Sequence, residues 1–283
     1  MSNRWIVCDV NYLCWRNYHS GMRDLTHHDI PTGVMFGLLR DIGTFQQEFS
    51  TTNIAFCFDG LESKRKEIYS GYKANREKKK SEMSEDDRLK YIQMIKQIKR
   101  LQTQTLPDMG FRNLFAESGY EADDLIASFV QTHSDTECII VSADHDLYQC
   151  LTKRVSLWNP TRREIYRVED YLADWRLSVR QWRMVKAIAG CSSDDIPGAP
   201  GIGEKTAAKF LRGEMKPSGK QYESIMESEK TIRRNLKLVT LPLPGTPRCE
   251  STTDQVDRKK WNKAVRDLGM NSLTRAEPRF RDG

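Results

Sequence analysis

Three runs along the chain are largely apolar rather than alternating, and each ends in an acid. They are WIVCD at 5–9, IAFCFD at 54–59 and CIIVSAD at 138–144. Continuous apolar runs of this length suit strands buried on both faces, as in a parallel sheet covered by helices. The segments between them carry helical spacing: about 32–49 between the first two, then about 85–104 and 121–132 before the third. Strand–helix alternation of this kind predicts an α/β fold with a mostly parallel sheet flanked by helices. In such sheets the ligand crevice lies beyond the carboxyl ends of the strands, which is where Asp9, Asp59, Asp144 and Asp146 are expected to meet.

A fourth segment adds acids to that rim. Residues 119–124 read GYEADD, and Glu121, Asp123 and Asp124 fall in the first turn of a predicted helix. Acids there complement the helix dipole by about 0.3–1 kcal/mol each, a reason sufficient for one of them. Seven carboxylates in one cleft would repel one another unless cations sat among them. All-oxygen donors of this type suit Mg²⁺ or Mn²⁺, and the absence of a paired His motif leaves no reason to expect zinc.

Past 151 the pattern predicts a β-hairpin near 158–166 and an amphipathic helix near 178–189. Residues 190–210 then read GCSSDDIPGAPGIGEKTAAKF, with Asp194 and Asp195 ahead of a turn carrying Gly198, Gly201 and Gly203. Lys205 and Thr206 open the helix that follows, and free N–H groups beside a lysine make an anion site. Trp158, Trp175 and Trp182 are read as core rather than as base-stacking groups.

Charge sharpens this picture. The 283-residue chain has a net charge of +6, which permits a polyanionic partner without requiring one. Residues 62–80 hold eight Lys/Arg against three Glu, interrupted by Tyr69 and Tyr72. Such a run is a solvated basic helix, or a grip for a phosphate backbone with tyrosines to stack bases. The seven cysteines are odd in number and form no C-x-x-C pair. That is read as a reduced, cytoplasmic protein, with no membrane span expected.

Taken together, Asp9, the FD pair at 58–59, YKANR at 72–76, GYEADD at 119–124, SADHDL at 142–147 and DIPGAPGIGEKT at 195–206 resemble the 5′-nuclease family. That family includes flap endonucleases, the 5′→3′ exonuclease domain of bacterial DNA polymerase I and bacteriophage relatives. The resemblance runs in order from about residue 5 to 240. It implies a PIN-like core over 1–184, containing a helical arch at about 62–104, and a helix–two-turn–helix module with a helical tail over 185–283. It also implies two divalent ions per site. Asp9, Asp59, Glu121, Asp123 and Asp124 would hold the first, and Asp144, Asp146 and Asp194 the second, with Asp123 bridging. Arg65, Lys73 and Arg76 match positions that act on the scissile phosphate, while Arg16 and Tyr72 match substrate-contacting positions. The turn at Gly198–Lys205 would grip duplex DNA and hold a K⁺ ion. The implied substrate is branched, flapped or nicked duplex DNA, cut by a monomer to leave 5′-phosphates in exonuclease and flap endonuclease modes. RNA in hybrids is a further substrate to consider.

The chain departs from that family at one place. Relatives read GDSSDN where residues 190–195 read GCSSDD, so Cys191 stands for an acid and Asp195 for an amide. A protonated thiol is a poor ligand for a hard ion, so the second ion is expected to bind more weakly. Asp195 is read either as a replacement ligand or, at about two to one, as a cap on the following turn. The alternative from another class is a catalytically weakened protein that binds branched DNA without cutting it. A phosphotransferase with its nucleophile after the first strand is disfavoured, because residues 9–11 read DVN and lack the usual second acid.

Overall fold

The computed structural model describes residues 4–275 and 277–280. Its centre is a six-stranded sheet built from β1 (Arg4–Asp9), β2 (Ile54–Cys57), β3 (Leu114–Phe115), β4 (Glu137–Val141), β5 (Val155–Asn159) and β6 (Glu164–Tyr166), in the order β3-β2-β1-β4-β5-β6. All neighbours are parallel except the last pair, which is the expected hairpin. β1 lies in the middle. Its Ile6 and Cys8 face one core and its Trp5 and Val7 the other, so every position of the run is buried. That double burial is why the sequence shows no alternation.

Register levels the strand ends. Asp9 lies opposite Cys57 on β2, and Cys8 opposite Val141 on β4. Asp59 and Asp144 therefore leave the sheet just past the ends of their strands, on the same rim as Asp9. On one face pack the helices Val10–Tyr18 and Gly33–Glu48, with the arch helix Glu85–Arg100 reaching in through Met94 and Ile98. Gln97 on that arch helix accepts hydrogen bonds from the Val34 and Met35 amides (3.0 and 3.3 Å). It thus satisfies donors that a helix start leaves without partners. The other face carries the helices Ala122–Thr132 and Trp182–Ala189.

The boundary expected between 184 and 185 falls inside the helix Trp182–Ala189, and one core runs across it. Trp182, Val185, Ala207 and Ile225 are buried with Trp5, Val7 and Ile140. The tail also returns to the sheet. Trp261 and Val265, on the helix Arg258–Asp267, are fully buried in the same core as Leu13 and Met35, the helix packing on Leu106–Met109. Truncating an aromatic so placed costs about 3–5 kcal/mol, so this tail is part of the core rather than an appendage. Among the described residues no helix is long and apolar enough to cross a membrane, and all seven cysteines are free.

Candidate active site

The level rim opens into a cleft of about 470 Å³ whose floor carries Asp9, Asp59, Glu121, Asp123, Asp144 and Asp194. Short-range backbone chemistry aims these groups. Asp9 caps the helix Val10–Tyr18, taking the Tyr12 amide on Oδ1 (3.0 Å) and the Ser142 hydroxyl on Oδ2 (3.0 Å). Asp59 accepts the Ala122 amide (2.9 Å), while its own amide donates to Asn11 Oδ1 (3.0 Å). Asp144 receives the Asp146 amide (2.8 Å) and starts the short turn His145–Cys150. Asp9, Asp59 and Asp144 are thus held by hydrogen bonds before any cation enters.

Its electrostatics are unfavourable on their own. Burial, then the nearby Asp59, pushes Asp9 up to about 7, against the pull of the Tyr12 and Ser142 hydrogen bonds. Asp123 is raised well above the carboxylate range by burial and by Asp144, Asp9 and Asp146. Asp59 is raised by its protein surroundings, although it opens onto the cleft and solvent screens part of that effect. Glu121 is the exception. Burial opposes its charge, but Lys73 and Arg65 outweigh burial and hold it below the usual range. Lys73 Nζ lies 2.6 Å from Glu121 Oε2, which also accepts the Tyr72 hydroxyl at 2.9 Å.

A second cluster adjoins the first. Ligand atoms of Asp146, Cys191 and Asp194 all lie within 4.8 Å of one another. This cluster brings its own cations: Lys186 is 2.8 Å from Asp146 and 3.0 Å from Glu204, and Arg76 is 2.7 Å from Asp194 Oδ1. The Cys191 thiol is pushed up by burial, Asp146 and Asp194, and sits 3.0 Å from the Ser193 hydroxyl. A thiol held protonated is a poor partner for a hard cation.

Several sequence expectations are corrected by this geometry. Asp124 turns away from the cleft: both its oxygens meet Arg65 (2.6 and 2.8 Å), and it also takes the Leu243 and Glu121 amides. Consecutive helical residues point about 100° apart, so when Asp123 faces the cleft its neighbour faces the core. Arg65 is correspondingly buried, with Nε on the Leu238 carbonyl (2.7 Å), and has no free face for a phosphate. Tyr72 is buried too, its hydroxyl spent on Glu121, and offers no ring for stacking. Arg16 pairs with the buried Asp41 in a separate cavity of about 380 Å³ beside Trp158, not in the cleft. Asp195, read as a replacement ligand or a cap, stands outside the second cluster, and its carboxylate caps Asn75, accepting from that residue's backbone and side chain.

Other expectations match. Trp158 and Trp182 are buried, and Trp175 packs on Trp182 with centroids 4.5 Å apart. Gly201, Gly203 and Lys205 are exposed at the start of the helix Glu204–Leu211, as drawn from the sequence, and Thr206 is half-buried there. Gly198 has a packing reason, since a Cβ there would sit 2.1 Å from the Ala189 carbonyl.

Two features were missed. Lys186 is a buried lysine on an apolar stripe with Trp182 and Val185, and a cation at that spacing was the available signal. Besides the acids, the cleft is lined by Tyr12, Trp15, Met83 and Tyr91 and by Lys79 and Lys80, the last over the Tyr91 ring (5.1 Å). Trp15 and Tyr91 meet with centroids 5.9 Å apart. An acidic floor with basic and aromatic residues lining the same cleft can bind divalent cations together with a single-stranded polyanion carrying flat bases.

Comparison with known proteins agrees with this chemistry. Residues 4–176 match the model of the 5′-3′ exonuclease, N-terminal resolvase-like domain. A 5′-3′ exonuclease of Bacillus subtilis is 30% identical over 234 residues, covering 79% of this chain and 72% of that protein. DNA polymerase I of Caldicellulosiruptor bescii is 28% identical over 82% of this chain, but the chain spans only 27% of that longer protein. Among solved structures, a bacteriophage T5 5′-exonuclease with zinc ions bound aligns over 97% of this chain and 100% of its own, with a TM-score of 0.74 at 24% identity. With the family model matched over more than half its length, and a bacterial exonuclease alike along most of it, the chain belongs to the 5′-3′ exonuclease family of nucleases.

Proposed function

We propose that this chain is a divalent-metal-dependent 5′→3′ exonuclease and 5′-flap endonuclease acting on flapped or nicked duplex DNA. The observation that carries the reading is the juxtaposition, in one cleft, of six carboxylates with Lys73 and Arg76. The donor set fits Mg²⁺ or Mn²⁺: it is all oxygen at the rim, and burial, with crowding added, has raised Asp9 and Asp123 in a way that added cations would relieve. Asp9, Asp59, Glu121, Asp123 and Asp144 would hold one ion, and Asp146 and Asp194 the other, with Cys191 beside them. Bound there, two divalent ions supply activation of water and screening of the phosphodiester charge.

The protein's own groups do the rest. Tyr12 and Ser142 orient Asp9, and Tyr72 and Lys73 orient Glu121. Lys73 and Arg76, now resting on Glu121 and Asp194, are the cations nearest the floor and would turn to the phosphate as charge develops on it. The aromatic residues lining the cleft would stack bases of a threaded single strand, and the turn at Gly201–Lys205 would hold the downstream duplex, with K⁺ as its ion.

Incubation with a nicked duplex bearing a labelled 5′ flap, across a Mg²⁺ titration with EDTA as control, tests this. Metal-dependent flap release with 5′-phosphate ends is expected. Tight binding with no product at any Mg²⁺ or Mn²⁺ level would overturn it in favour of a DNA-binding protein of the same fold. Only the thiol and resident lysine of the second cluster favour that second reading.

A further inference from the structure

The arch helix Ala74–Ser81 carries Arg76 and follows directly on Lys73, yet it buries none of its residues. Packing therefore does not set its position, and its place over the cleft must come from polar contacts. Most of those contacts go to one short segment. The Lys73 amide donates to the Asp194 carbonyl (2.9 Å), and Arg76 Nε donates to the Ser193 carbonyl (3.2 Å). Asp195 completes the set: Oδ2 accepts the Asn75 amide at 2.8 Å, and Oδ1 accepts the Asn75 side-chain amide. Beyond that segment the helix has the exposed ion pairs Lys66–Glu77 and Lys78–Glu82 and the Lys80 ammonium over the Tyr91 ring (5.1 Å), and exposed ion pairs contribute about 0–1 kcal/mol.

Asp195 is shaped for this contact. It is a non-glycine residue in the left-handed region (φ 56°), which aspartate and asparagine visit most readily. That conformation turns its carboxylate away from Cys191 and Asp194 and onto the first turn of the arch helix. There it satisfies an N–H without an intrahelical partner and places negative charge at the positive end of the helix dipole.

We propose that Asp195 is a positioning residue, a clasp that fixes the first turn of the arch helix to the second acid cluster and so sets Lys73 and Arg76 over the cleft. The consequence for cleavage rests on the nuclease reading, whereas the clasp itself does not. Movement of Asp194 would be passed to the arch through its neighbour, linking cation binding to arch placement.

Hydrogen exchange of the Asn75–Lys78 amides in the full chain, without DNA, tests the clasp directly. Asp195→Ala is expected to speed exchange there about tenfold, the effect of losing a hydrogen bond to a charged group. Asn75→Ala, which loses the side-chain bond and keeps the backbone one, should speed it by about threefold. Asp195→Asn should stay within about threefold of the parent, because an amide at 195 can still accept the Asn75 amide once the Asn75 side chain flips. Mn²⁺ affinity, read by electron paramagnetic resonance, should stay within about twofold in both Asp195 variants. If active, Asp195→Ala should lose kcat about tenfold, with recovery in Asp195→Asn. Unchanged exchange in both Asp195→Ala and Asn75→Ala would overturn the clasp, and so would loss of Mn²⁺ binding in Asp195→Asn, which would make the residue a ligand. A parent chain that cleaves nothing would sink the nuclease reading alone, leaving exchange and Mn²⁺ affinity to decide the clasp.

Discussion

The two acid clusters lie side by side, yet they solve the problem of crowded charge in opposite ways. In the rim cluster around Asp9, Asp59 and Asp123, amides and a serine hydroxyl pin the first two and negative charge is left in excess, with Asp9 pushed up to about 7. The cluster around Asp146, Cys191 and Asp194 sets a thiol beside two carboxylates and neutralises those with Lys186 and Arg76. Strand ends fixed by a sheet can be held against repulsion. A turn of a few residues cannot, so its acids keep resident cations. The first cluster calls for added cations, and the second must release its own before it accepts one.

The largest effect expected from this contrast is at Asp123. Asp123→Asn should lower kcat/KM for flap cleavage by about 10²–10³-fold or more while raising the melting temperature in EDTA, because it removes repulsion. A fall in melting temperature would show that the rim is not strained. Lys186→Met should act the other way. Leaving Asp146 and Glu204 without their shared cation should cost about 3 kcal/mol in chemical denaturation, and Mn²⁺ should restore part of it. If Lys186→Met leaves stability unchanged, the second cluster is not self-neutralised.

Cys191→Asp should return a hard ligand and shift the Mg²⁺ midpoint for activity down by several-fold, roughly 3–10. An unmoved activation curve would mean that the thiol merely packs.

The smallest effect is a pH slope. Asp9 keeps its proton in the folded chain up to about 7, whereas an unfolded chain releases it near the ordinary aspartate value. Between those limits the folded state binds more protons, so stability present at low pH is lost as pH rises towards 7. Thermal melts in EDTA should therefore fall across that window, with a shallower fall in Asp9→Asn. Equal slopes in the two proteins would remove Asp9 from the account.

Much of this contrast was legible before any coordinates. Apolar runs ending in acids located the sheet and its rim, because burial on both faces erases alternation and the strands stop together. The helix dipole and the GYEADD spacing placed Glu121 and Asp123. What sequence could not separate was Asp123 from Asp124, since rotation about a helix decides which of two adjacent acids sees the cleft. For the same reason Arg65 and Tyr72 read as substrate contacts: a basic run gives no sign of which members turn inward until their partners, Asp124 and Glu121, are in place. Arg16 sits past the rim acids in sequence, but its helix carries it to the pocket beside Asp41. Lys186 went unread because nothing in the local sequence shows that Asp146 and Glu204, its partners, come to lie beside it.

The Arg65–Asp124 pair has a consequence for inheritance. One guanidinium joins the base of the arch to the helix behind Glu121 and to the Leu238 carbonyl. Neither member can drift alone, because its partner would be stranded as a buried charge, and an apolar pair would also strand the Leu238 carbonyl and the Leu243 and Glu121 amides. Among descendants of this chain the two positions should therefore change as a couple or not at all. An alignment would then show Asp124 as steadfast as the acids beside it, and its constancy would record a bond to an arginine rather than a hold on an ion.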